Sequence, residues 1–140
     1  MSGRITQKDL VRRVIGRLEG LGCSITHDWT RVEEVTDGTA HDATAGVLAQ
    51  LDIRGVIESD VYVLVSDGEL AGKGMHAELG AALAMQQLAG KPEIYVVGPS
   101  TNRSIFYMHP GVTRLESVDQ LVAHLQADMG PRPSPLLEPA

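Results

Sequence analysis

A chain of 140 residues with 43% hydrophobic content has room for one compact domain and too little for two ordinary ones. Its net charge of -6 and the lack of a dense Lys/Arg cluster argue against duplex nucleic acid as the main partner, which leaves a small molecule. Cys23 is the only cysteine, so an intrachain disulfide and a cysteine-rich zinc site are excluded. No apolar run approaches the roughly 20 residues that span a bilayer, and with no signal peptide visible the expected location is cytoplasmic.

Leu10, Val14, Leu18 and Leu21 recur at helical spacing, with Arg12, Arg13 and Arg17 on other faces and Gly22 as a stop, which predicts an amphipathic first helix. Cys23 to His27 reads as a short strand with Asp28 and Trp29 at its end. The polar stretch Arg31 to Asp42 reads as a loop, after which Thr44, Leu48, Leu51 and Gly55 mark one side of a second helix. Val61 to Val65 is a continuous apolar run, the pattern of a parallel strand buried on both faces, and Asp60 before it is expected to order the chain there. A helix is predicted from about Met75 to Leu88, where Gly80, Ala81, Ala82 and Ala84 permit close packing on a sheet, and Gly90-Lys91-Pro92 ends it. Ile94 to Val97 is a further strand, Gly98 to Ser104 a loop, and Val118 to Leu125 a last helix. Residues 1–129 form the expected domain, and the tail 130–140, with four prolines, is expected to be extended or disordered.

Alternation of helices and strands implies a flavodoxin/Rossmann-like doubly wound parallel α/β sheet. Its first strand is missing ahead of the first helix, and in the order 2-1-3-4-5 that strand is a central one. Either the natural start lies upstream, or a rearranged sheet or a partner chain closes the gap.

The segment from Val61 to Gly80, VYVLVSDGELAGKGMHAELG, carries the chemistry: an apolar strand leads through a glycine-bearing turn into a helix with a glutamate. Gly72 and Gly74 let a ligand approach the main chain, and the free N–H groups of the next helix favour anions. A helix beginning near Met75 would put Glu78 in its first turn, where the dipole favours the ionised carboxylate that a nucleophile requires. An ordinary capping-box glutamate is the alternative, although the residue three before Glu78 is Met75 and not Ser or Thr.

Five segments together resemble the nucleoside 2-deoxyribosyltransferase superfamily, which includes 2′-deoxynucleoside 5′-phosphate N-hydrolases and CMP hydrolases. They are Ser2-Gly3-Arg4-Ile5, Asp52-Ile53-Arg54-Gly55-Val56, Ser59-Asp60, Gly72-Lys73-Gly74-Met75-His76-Ala77-Glu78-Leu79-Gly80 and Ile25-Thr26-His27-Asp28-Trp29-Thr30. The resemblance covers nearly the whole chain to about Leu125. It implies cleavage of the N-glycosidic bond of a (deoxy)nucleoside or its 5′-monophosphate, with Glu78 as nucleophile and a glycosyl-enzyme intermediate resolved by water or a second base. Such chemistry asks for an ionised carboxylate and a proton source for the leaving group. Asp52 is the candidate for the proton, its alternative being a solvated helix aspartate.

By the resemblance, Gly3 and Arg4, with Thr6, correspond to the glycine turn that holds a 5′-phosphate in the phosphate hydrolases, the alternative being an N-terminal polar tail. Ser100, with Asn102, Arg103 and Ser104, follows a strand and is either a second phosphate contact or a surface loop. Asp28 and Trp29 stand where ligands bind in open parallel sheets, Trp29 either stacking on a base or serving core or interface. Met75 and His76 adjoin the glutamate as substrate contacts, with a helix-surface histidine as the alternative for His76. No cofactor is expected, and no metal, because His27 and His41 lack ligand spacing. Phe106, Tyr107 and Met108 form an apolar loop patch, and the resemblance implies a homodimer. Competing readings are a non-catalytic nucleotide-binding module and a hydrolase of another N-glycoside such as NAD. Hydrolase versus transferase stays open.

Overall fold

The computed structural model describes residues 8–28, 39–66, 73–99 and 104–129. Helix α1 (Lys8–Gly20) buries Val11, Val14, Ile15 and Leu18 along one stripe. It closes as the spacing predicts: Gly22 takes a positive φ of 90°, and Cys23 N–H donates to the Leu18 carbonyl at 3.1 Å while Gly22 N–H donates to that of Glu19 at 2.9 Å. Helix α2 (Thr39–Ile57) is followed by strand β1 (Val61–Val65), helix α3 (Lys73–Ala89), strand β2 (Glu93–Val97), a 3-10 turn (Ile105–Met108), strand β3 (Val112–Leu115) and helix α4 (Val118–Met129).

The three strands form a parallel sheet in the order β1-β2-β3, with Val63 opposite Tyr95 and Tyr95 opposite Thr113. Successive side chains of a strand point to opposite faces, and each face has its own core. Val63, Val65, Tyr95 and Val97 pack against Val11, Val14, Ile15 and Leu18 of α1 and Leu121 and Leu125 of α4. On the other face Tyr62, Leu64, Ile94 and Val96 meet Val56 of α2 and Met75, Leu79, Ala82 and Leu83 of α3, with Tyr107 completing the cluster. The protein is therefore α/β, with helices on both faces of a short parallel sheet. Tyr95 belongs to the first cluster yet keeps its hydroxyl satisfied, donating to Glu93 Oε2 at 2.8 Å and lying 3.4 Å from Asp128 Oδ2. Burial, then the bond to and charge of Glu93 beside it, push that phenol well above the usual tyrosine range.

Several expectations need correction. Cys23 to His27 is not a strand. The segment has strand-like alternation, with Cys23, Ile25 and His27 half-buried and Ser24 and Thr26 exposed, and Cys23 and Ile25 pack on the α1 cluster. A strand also needs a neighbour to share a ladder, and the described sheet, with β1 at its edge, contains none for it. Helix α2 starts at Thr39, inside the stretch expected to be loop, and α3 starts at Lys73, two residues ahead of expectation. Within α3 only Ala81 and Ala82 of the small residues pack inward, whereas Gly80 and Ala84 are exposed. Strand β3 was not expected at all. As an edge strand it exposes Thr113 and Arg114 and half-buries Val112 and Leu115, so it carries no apolar run.

Candidate active site

Helices α2 and α3 lie side by side on one face of the sheet, and each carries one carboxylate, Asp52 and Glu78, near enough for the charge of the first to act on the second. Asp52 comes from the C-terminal half of α2 and is half-buried. The ring of His27 reaches it from the 23–28 segment, with Nδ1 2.9 Å from Asp52 Oδ1. A carboxylate can only accept, so the proton of that bond sits on His27 Nδ1.

This approach depends on Gly55, one turn after Asp52 on the same side of α2. A Cβ there would stand 3.0 Å from His27 Cβ and 3.2 Å from Thr26 Oγ1. Thr26 Oγ1 in turn donates to the Gly55 carbonyl at 2.8 Å, satisfying a carbonyl near the helix end. The Asp-x-x-Gly spacing of α2 thus has a local meaning: one residue holds the histidine and the other leaves room for it.

Glu78 lies in the second turn of α3, since the helix starts at Lys73; no acidic residue occupies the first turn. The expected gain from the helix dipole falls off within one turn and does not govern here. Burial, and then the negative charge of Asp52, push the Glu78 carboxyl from 4.5 up to about 8. The helix position alone favours the ionised carboxylate, whereas burial and the nearby charge of Asp52 act the other way and hold the Glu78 carboxyl toward its protonated form.

The remaining candidates scatter. Met75 is taken up by the core, 4% exposed, and its carbonyl faces the Tyr62 hydroxyl at 3.5 Å. His76 meets Tyr107 edge-on, the rings 5.9 Å apart and Nε2 3.5 Å from the phenol oxygen. Gly74 sits inside the first turn of α3 and not in a loop before it. Asp28 is half-buried at the end of the 23–28 segment, beside His27. Gly3, Arg4, Trp29, Gly72 and Ser100 lie outside the described residues. Asp60 belongs to the opposite end of β1, exposed and 3.2 Å from Lys91 Nζ.

His27 is the residue that sequence reasoning undervalued, because it was weighed only as a metal ligand. Among the described residues no group of three or more His, Cys, Asp or Glu side chains is arranged to hold a metal ion. Gly98 also escaped notice. Its φ is +131°, and a Cβ on it would stand 1.8 Å from the Ser66 carbonyl oxygen, so only glycine lets the ends of β1 and β2 lie this close. The patch expected at 106–108 is a 3-10 turn, capped by Ser104, with Tyr107 buried and Ile105, Phe106 and Met108 exposed. No helix among the described residues is long and apolar enough to cross a membrane. Comparison with protein-family models, curated proteins and solved structures returned no match.

Proposed function

We propose that this protein cleaves the N-glycosidic bond of a (deoxy)nucleoside or its 5′-monophosphate, with Glu78 as the nucleophile. The observation that carries the reading is a half-buried Glu78 on α3 whose carboxyl is raised by burial and by the charge of Asp52 on α2, with His27 Nδ1 2.9 Å from that aspartate. Glycosidic cleavage needs one carboxylate to meet an oxocarbenium-like carbon and one proton for the departing group. The pair holds both. In the first step the Glu78 proton passes through Asp52 to the leaving nitrogen of the base, and the freed Glu78 oxygen bonds the anomeric carbon as the carbon–nitrogen bond breaks. In the second step water, or a second base, takes the sugar and restores the proton to the pair. Atoms and charge balance in each step, and Asp52 begins and ends as a carboxylate.

The resemblance to the nucleoside 2-deoxyribosyltransferase superfamily supports the same assignment through Asp52, Gly55 and the Gly74 to Gly80 segment. In this reading the described sheet is part of a doubly wound, flavodoxin-like arrangement. The protein works without cofactor in the cytoplasm as a homodimer, the exposed Ile105, Phe106 and Met108 offering the subunit contact.

The test is chromatography of free base from a panel of nucleosides and 5′-monophosphates, with and without an acceptor base, using wild type and Glu78→Gln. Expected are release by wild type, loss of at least about a thousandfold in Glu78→Gln, and a protein adduct of sugar mass in a rapid quench. Nucleotide binding without release from any substrate would establish the non-catalytic binding module instead.

A further inference from the structure

We propose that His27, its Cβ packed against the bare backbone of Gly55, is a positioning residue whose ring holds the Asp52 carboxylate in place for the glycosidic step; the assignment rests on the reading above. Three contacts within one turn of α2 converge on it. His27 Nδ1 lies 2.9 Å from Asp52 Oδ1, Thr26 Oγ1 bonds the Gly55 carbonyl at 2.8 Å, and the His27 Cβ stands where a side chain at position 55 would intrude. The pair is partly withdrawn from water, the side chains being 20% exposed at His27 and 32% at Asp52. A hydrogen bond to a charged group in such a setting is stronger than one at an open surface.

An aspartate two-thirds withdrawn from water but unbraced would sample several rotamers, and a displacement of about 1 Å is enough to cost a reaction about a hundredfold. His27 Nδ1 engages Oδ1 of Asp52, so the ring fixes which carboxylate oxygen stays available to the departing base.

The experiment compares base release by wild type, His27→Ala and His27→Asn, the asparagine amide nitrogen reaching the position of Nδ1. Expected is a fall in kcat of about 10- to 100-fold for His27→Ala with KM changed by less than about threefold, and recovery of most of the rate in His27→Asn. An unchanged kcat in His27→Ala, a loss confined to KM, or equal losses in both variants with lowered thermal midpoints would overturn the assignment. Should wild type release no base from any substrate, the glycosidic reading fails by itself. The ring nitrogen-15 shifts of His27 then judge the pair. A protonated Nδ1 in wild type that is lost in Asp52→Asn supports the brace, and identical shifts in the two proteins reject it.

Discussion

Replacing Glu78 by glutamine should change how stability depends on pH, because the carboxyl rises from 4.5 to about 8 on folding. Below pH 4.5 the group is protonated in both the folded and the unfolded chain, and its environment costs nothing. Between pH 4.5 and 8 the unfolded chain has released a proton that the folded chain keeps, so stability falls as pH rises; above 8 both forms are ionised and the loss is complete. The interval of 8 − 4.5 = 3.5 pH units, at ~1.4 kcal/mol each, sets a ceiling of about 5 kcal/mol. Relaxation and water around a partly buried carboxyl take a share of that, leaving an expected difference of about 2–3 kcal/mol. Glutamine has the same shape and no proton to lose. The assay is urea unfolding followed by far-UV circular dichroism at half-unit steps from about pH 4.5 to 9, with the difference between the two proteins cancelling the titrations that Glu78 does not influence. Glu78→Gln should gain on wild type steadily across this range while losing base release. Parallel curves, with a difference independent of pH, would refute the burial argument.

Asp52→Asn removes the second cause of the Glu78 shift, so the stability curve of that variant should flatten and the Glu78 carboxyl titrate at lower pH, read by carbon-13 shifts of a labelled side chain. Gly98→Ala must move the Ser66 carbonyl and adopt a φ of +131°, and should cost about 2–4 kcal/mol in the same urea assay. Tyr107→Phe deletes only a bond at the 3.5 Å limit to His76, so stability should stay within about 1 kcal/mol and base release should be unaffected.

Strand β1 and the buried half of β2 were legible because a parallel strand covered on both faces reads as an unbroken apolar run. Helix α1 was legible for a different reason: its stripe has a 3.6 period and its end carries a glycine at the position that needs one. Strand β3 was not, because Val112-Thr113-Arg114-Leu115 earns its place through pairing with β2, a non-local cause that leaves only weak alternation in the chain. The 23–28 segment shows the converse, a strand pattern without a ladder. At the site, the strand–turn–helix pattern pointed to Glu78 and the family resemblance to Asp52. Position in the helix argued for an ionised glutamate, whereas burial and a second carboxylate, both products of packing α2 on α3, push its carboxyl upward. His27 was overlooked because its partner stands 25 residues away in the chain.

The sheet also divides the molecule's tolerance to change. The α1/α4 side is sealed by apolar residues such as Val11, Val14 and Leu121, none more than 1% exposed, whereas the α2/α3 side admits a costly carboxyl pair. Mutations therefore fall into two populations. Those behind the sheet shift the folding equilibrium without touching the carboxyls of α2 and α3, and those in front act where burial and Asp52 raise Glu78. A lineage can in this way accumulate reserve on one side and spend chemical novelty on the other, with three strands keeping the two histories apart.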